Sequence, residues 1–318
     1  MMKKTMIMMF ALLLLTACGT NGGGDGIGTT PFIGGTQGIK MEFVENFPPE
    51  RVSDGSGQED FDIVVKLTNK GEAEVAAEDV RVRLSGFSPH LFGYSADNLT
   101  KTAPENIESN IKNPDGSIIA SLPVEVDFER FRYQQAVQGT QSFPLRAEIC
   151  YLYSTFVAST ICVKEDFRSD QTGDICTVAS TRTAFNSAAP LQVIDVRQTA
   201  ARQDTTRIVF TIANRDSGKV FRHDSLCESE GRMEDRVYVQ FQGLNPQEGE
   251  EVNCRSLRTD DGSGGTEGYV TLNAEGRAEV SCDVTFDERT PRIQPFGLEL
   301  SYKYNENIQR NIIVERSD

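Results

Sequence analysis

The chain repeats itself, and the repeat limits the fold more than any other feature. Val80–Pro89 (VRVRLSGFSP) matches Val237–Pro246 (VYVQFQGLNP) without a gap. In both copies apolar residues fall at every second position: Val80, Val82 and Leu84, then Val237, Val239 and Phe241. That alternation describes a strand with one buried face, closed by a Gly-x-x-Pro turn. Further matches keep the same order: Ile39–Val44 with Leu191–Val196, Phe61–Val75 with Thr206–Val220, Val124–Arg130 with Cys282–Arg289, and Ile149–Val163 with Leu300–Val314. Each unit is about 125 residues of short alternating strands divided by Gly, Asn, Pro and Asp, without a long amphipathic helix. This predicts an all-β chain of two tandem β-sandwiches, residues 39–166 and 190–318, joined by a Ser/Thr/Asp-rich connector at 167–189.

The strand ending Leu67-Thr68-Asn69-Lys70-Gly71, followed by the strand Val80–Leu84, resembles immunoglobulin-like modules of the CARDB and adhesion-type families of bacterial and archaeal cell-surface proteins. In the second unit Asn214-Arg215 precedes Gly218 with two residues inserted. The likeness covers about 30–40 residues per unit. It implies two immunoglobulin-like sandwiches and a role in adhesion or scaffolding, a fold-level expectation because such modules serve many functions.

The first residues carry an address. Lys3 and Lys4 precede an apolar run, Met6–Leu15, of about ten residues, far short of the roughly 20 that span a bilayer as a helix. The quartet Leu15-Thr16-Ala17-Cys18 resembles the lipoprotein signal-peptidase motif. The resemblance implies removal of residues 1–17 and a lipid on Cys18. Nine of the twenty residues in 19–38 are glycine, so residues 18–38 read as a lipidated cysteine on a flexible tether. The expected location is the cell envelope, anchored on the extracytoplasmic side of a membrane, with membrane lipid as one partner.

Loss of residues 1–17 removes two lysines and no acids, taking the formal charge from −15 to −15 − 2 = −17. So acidic a chain repels phosphate backbones, and nucleic acid is not an expected partner.

Six cysteines remain besides Cys18: Cys150, Cys162, Cys176, Cys227, Cys254 and Cys282. An even number in an exported chain predicts disulfides, with fifteen conceivable pairings. Ile149–Val163 reads as a hairpin turning near Thr155–Val157, which would set Cys150 opposite Cys162 on the outward face, within disulfide reach. Cys282 keeps step with Val280, Val284 and Phe286 and is paired with Cys254. Cys176 and Cys227 are then left for one another.

Chemistry is scarce. His90 follows a proline, His223 lies in an insertion peculiar to the second unit, and neither has a nucleophile context or metal-ligand spacing. No catalytic residue, metal site or cofactor is expected. Two loops, Asp54–Asp62 and Asp260–Gly268, mix carboxylates with glycines as calcium sites do, although solvated turns explain them as well. Asn98-Leu99-Thr100 is a glycosylation sequon. The expected function is a non-enzymatic structural, adhesive or protein-binding role toward envelope or surface proteins or glycans. The contact surfaces should be the departures from the repeat: Arg222–Asp235, Pro89–Pro114 and the acidic turns. The alternative is an accessory or ligand-binding lipoprotein of a transport or secretion machine. A concave pocket between the units would favour that alternative; two convex sandwiches would favour the structural role.

Overall fold

The computed structural model describes residues 30–54, 60–169, 175–227, 233–244, 249–260, 262 and 264–317. Cys18 and the tether up to residue 29 lie outside them. Pro31–Asp318 is one compact unit.

The chain is all-β, with three short 3-10 turns among the described residues. The first repeat supplies β1 (Ile39–Phe43), β2 (Arg51–Ser53), β3 (Phe61–Asn69), β4 (Val80–Ser85), β5 (Thr100–Thr102), β6 (Ile111–Lys112), β7 (Ile118–Ile119), β8 (Val124–Phe131) and β9 (Thr140–Val163). The connector holds β10 (Ser180–Arg182) and β11 (Phe185–Asn186). The second repeat supplies β12 (Leu191–Ala200), β13 (Thr205–Asn214), β14 (Lys219–Phe221), β15 (Arg236–Gln242), β16 (Glu250–Cys254), β17 (Glu267–Thr271), β18 (Arg277–Phe286) and β19 (Arg292–Glu315). A sheet β1-β3-β8 belongs to the first repeat and a sheet β10-β12-β13-β18-β16 mainly to the second. The third sheet is shared, in the order β17-β15-β19-β9-β4-β5, with β2, β11 and β14 alongside.

The sharing comes from two long strands. β9 and β19 pair antiparallel over all 24 residues, from Thr140↔Glu315 to Val163↔Arg292. Arg146–Tyr151 of β9 also pair with β4 in the first repeat, while Val157 and Ala158 pair with β11 beside the second. β19 runs the other way: Gly297–Ser301 pair with β15, and Ile313–Glu315 end beside β2. Each repeat therefore passes the second half of its last strand into the part of the sheet built by the other. No first sandwich closes off before the second begins.

The expected hairpin at Ile149–Val163 does not form, and the local sequence explains why. Leu152–Ala158 (LYSTFVA) contains no Gly, Pro, Asn or Asp to turn the chain. Tyr151, Tyr153, Thr155, Val157, Ser159 and Ile161 are all buried, with no change of phase where a turn would intervene. The strand continues straight and takes β19 as its partner.

The repeat shows in the pairing. Val82↔Ile149 and Leu84↔Ala147 correspond to Val239↔Leu300 and Phe241↔Leu298, as the gapless matches require. β8 and β18 slip relative to expectation. Val126 opposes Val65, and the residue opposite the equivalent Phe210 is Val280, four positions before the Val284 of the sequence match. An even slip keeps every side chain on its original face.

The core is one continuous hydrophobic cluster. At its middle four buried tyrosines of β9 and β19 repeat the same bonds. Tyr151 Oη accepts from Ile39 N (3.1 Å), as Tyr302 Oη does from Leu191 N (3.2 Å). Tyr153 Oη donates to Asn69 Oδ1 (2.9 Å), and Tyr304 Oη to Asn214 Oδ1 (3.0 Å). Each asparagine also donates back into its own loop, to Ala73 O and Gly218 O. The Asn-basic signature is thus a buried loop clamp, which lets tyrosine hydroxyls enter a core without unmade hydrogen bonds.

All six cysteines are bridged: Cys150–Cys227, Cys162–Cys176 and Cys254–Cys282. Cys254 and Cys282 face one another across β16 and β18, as expected. The other two pairings correct the expectation. With β9 unbroken, Cys150 and Cys162 lie 12 residues apart on one face of one strand, roughly 40 Å at ~3.3 Å per residue, beyond any disulfide. Each instead holds a segment against the outer face of the shared sheet.

Candidate functional site

A cleft of about 310 Å³ lies where that outer face meets the second repeat's insertion. Arg146 and Glu148 of β9 come from the first repeat; Lys219, Glu234 and Glu306 come from the second. One wall includes Cys227, fixed to the sheet through Cys150. A hollow of about 40 Å³ adjoins it, sharing Glu148, Asn305 and Cys227.

Local geometry sets the floor. β14 pairs with β19 only from Lys219↔Asn305 to Phe221↔Lys303, and the chain reaches it through Gly218. A Cβ on Gly218 would lie 2.5–2.7 Å from the Tyr304 ring, Asn305 O and Glu306 Cγ, so only glycine permits this approach. Asn305 donates to Glu148 Oε1 (2.9 Å) across the two long strands. The Arg146 Nε is buried without a hydrogen-bond partner among the described residues. Burial pushes the Glu306 carboxyl up to about 7, helped by the negative charge of Asp216.

The insertion is clamped from its other side. The Arg222 guanidinium lies 4.2 Å from the centre of the Tyr269 ring and forks onto Asp260 (2.8 and 2.7 Å) while reaching Asp224 (2.7 Å). His223 stacks on Tyr269, its Nδ1 3.1 Å from the tyrosine hydroxyl, and burial lowers its pKa. His223 serves this clamp, and His90 is exposed in a turn.

The remaining expected sites fall elsewhere. Asp54 is buried, and its carboxylate accepts from Val137 N (2.9 Å) and from Ser317 N (3.1 Å) and Oγ (2.8 Å). Asp60 pairs with Arg132, and Asp62 accepts from Arg130 N. In the second acidic loop Asp260 is held by Arg222 and Glu267 accepts from Gln240. Residues 55–59, 261 and 263 of these loops lie outside the described residues. Asn98 is exposed in the 3-10 turn Ala96–Leu99. Of the three expected contact surfaces, only Arg222–Asp235 borders the cleft. Arg146, Glu148 and Glu306 escaped the sequence reading because the pairing that unites them joins strands about 150 residues apart.

No protein-family model matches the chain, and no curated protein does. Among solved structures, a chain from "The Triple Jelly Roll Fold and Turret Assembly in an Archaeal Virus" is aligned over 89% of this chain and 92% of its own, at 9% identity. Its TM-score is 0.13, a likeness too slight to bear on fold or function.

Proposed function

We propose that this chain is a lipid-anchored extracytoplasmic binding protein that holds a small polar ligand at the seam of its two immunoglobulin-like repeats. The observation that carries the reading is the cleft: both repeats build it, and its volume of about 310 Å³ lies at the lower end of the range for small-molecule sites. Its charged lining suits recognition of a polar molecule. Three disulfides accord with an oxidising compartment. The Leu15–Cys18 resemblance to a lipoprotein signal-peptidase motif supports the anchor, and binding without turnover fits a component that serves a transport machine. A structural or adhesive role is the second reading, favoured by the exposed aliphatics Ile111, Ile118, Ile119 and Leu122 on and beside the β6–β7 pair.

Two measurements test this. The wild-type chain should sediment with membranes and incorporate labelled palmitate, and Cys18→Ser should do neither. Native mass spectrometry of protein taken from its own membranes should show a small bound mass that Arg146→Gln removes. An unlipidated wild-type chain defeats the anchor. An unliganded cleft together with photo-crosslinks from Ile119 to an envelope protein supports the adhesive reading instead.

A further inference from the structure

Resting on the binding reading, we infer that the cleft takes a zwitterion: a small molecule with both an ammonium and a carboxylate, as in a short unmodified peptide. The repeat provides an internal control. A residue of β9 corresponds to the residue 151 positions later in β19, as in the matched pairs Tyr151 and Tyr302, Tyr153 and Tyr304. The counterpart of Arg146 is Gly297, and that of Glu306 is Thr155. Thr155 is buried and fully engaged, donating to Leu191 O (2.9 Å) and meeting Tyr302 Oη (3.0 Å). The fold is built at that half of the sheet without a cation at one place or an acid at the other. Arg146 and Glu306 are additions to it.

The charges in the cleft are of both signs and do not cancel locally. Arg146 and Glu148 lie on the outward face of β9, Lys219 and Glu234 come from the second repeat, and Glu306 reaches the rim from the core-facing side of β19; no ion pair joins the cations to the acids among the described residues. Charges that flank a cleft without closing on each other leave two demands, a hydrogen-bond acceptor for the buried Arg146 Nε and a donor for the carboxyls other than Glu148, which Asn305 already serves. A simple anion would answer the first and crowd the acids; a simple cation would do the reverse. A molecule carrying both charges answers both and adds no net charge to a partly buried site. The polar floor of Ser217, Asn305 and Asn307 offers nothing to a long apolar tail.

The test titrates the full-length mature protein in detergent with glycylglycine, N-acetylglycylglycine, which lacks the ammonium, and glycylglycinamide, which lacks the carboxylate. The uncapped dipeptide should bind at least tenfold more tightly than either capped form. Arg146→Gln should abolish discrimination against the amide, and Glu306→Gln discrimination against the acetylated form, with the melting temperature of each variant establishing that it folds. Equal binding of capped and uncapped forms overturns the inference. Binding of a neutral sugar, lost in Arg146→Gln, with none of the peptides bound, also overturns it and leaves the binding reading standing. A protein that binds none of these probes and carries no native small mass sinks both.

Discussion

Thr155 and Glu306 occupy equivalent places in the two repeats, 306 − 155 = 151 positions apart, and only the threonine has its hydrogen bonds made. Glu306 follows Tyr302 and Tyr304 on the core-facing side of β19, opposite Ile149. Asp216 of the Asn214–Gly218 loop adds repulsion, and Tyr151 and Tyr304 are neutral neighbours.

The consequence is a pH-dependent stability. The folded-state pKa is about 7 against an ordinary 4.5, so between these values the folded protein keeps a proton that the unfolded chain releases. Stability is therefore greatest below about pH 4.5 for this group and is lost as pH rises through 7. Glu306→Gln imitates the protonated form. Its melting temperature should match wild type near pH 4.5 and exceed it at pH 8. A variant less stable than wild type at pH 8 would show instead that the carboxylate has a partner.

The exchange of strand halves predicts one unfolding transition. Each repeat has one sheet of its own, but the sheet that faces it is complete only with both repeats, because β9 and β19 run through its middle and pair with strands of each. Calorimetry should give a single peak whose van't Hoff and calorimetric enthalpies agree. The fragment 31–166 would expose the last half of β9 as an uncovered edge, and should aggregate or pair with a second copy. Two resolved transitions, or a monomeric and well-dispersed fragment, would contradict the shared sheet.

The duplication was legible because strand alternation and loop clamps recur at fixed spacing: Val82 and Val239, Asn69 and Asn214 can be aligned by eye. The exchange was legible only in a negative sign, the lack of any turn residue across Leu152–Ala158. The apolar alternation of Ile149–Val163 fits a hairpin and an unbroken strand equally well, so it cannot decide whether Cys150 meets Cys162 or, as in the fold, Cys227. Cys254–Cys282 is legible because β16 and β18 are true neighbours in the sheet. The cleft depends on which strand lies beside which across the whole chain, and local pattern carries no such information.

The two asparagine clamps should differ in strength. Asn69 is fully buried, accepting from Gly71 N and Tyr153 Oη and donating to Ala73 O. Asn214 makes the corresponding bonds in a half-buried loop, with the Asp216 N contact longer at 3.2 Å. Asn69→Ala leaves a buried tyrosine hydroxyl and two backbone groups unmet, a loss of about 3 kcal/mol, against about 1–2 kcal/mol for Asn214→Ala, where water can substitute. Urea denaturation checks this, and equal losses would place the two loops in the same environment.

Cys150–Cys227 should be the most stabilising of the bridges that cover the sheet. It closes a loop of 77 residues and Cys162–Cys176 one of 14. Loop-closure entropy puts these at about 4.5 and about 3 kcal/mol. The double variant Cys150→Ser/Cys227→Ser should therefore melt below Cys162→Ser/Cys176→Ser. It should also weaken ligand binding, since Cys227 fixes one wall of the cleft, whereas the second variant leaves that wall in place. Non-reducing peptide mapping of the wild-type chain comes first: recovery of a Cys150–Cys162 peptide would restore the hairpin and remove the shared sheet on which the cleft depends.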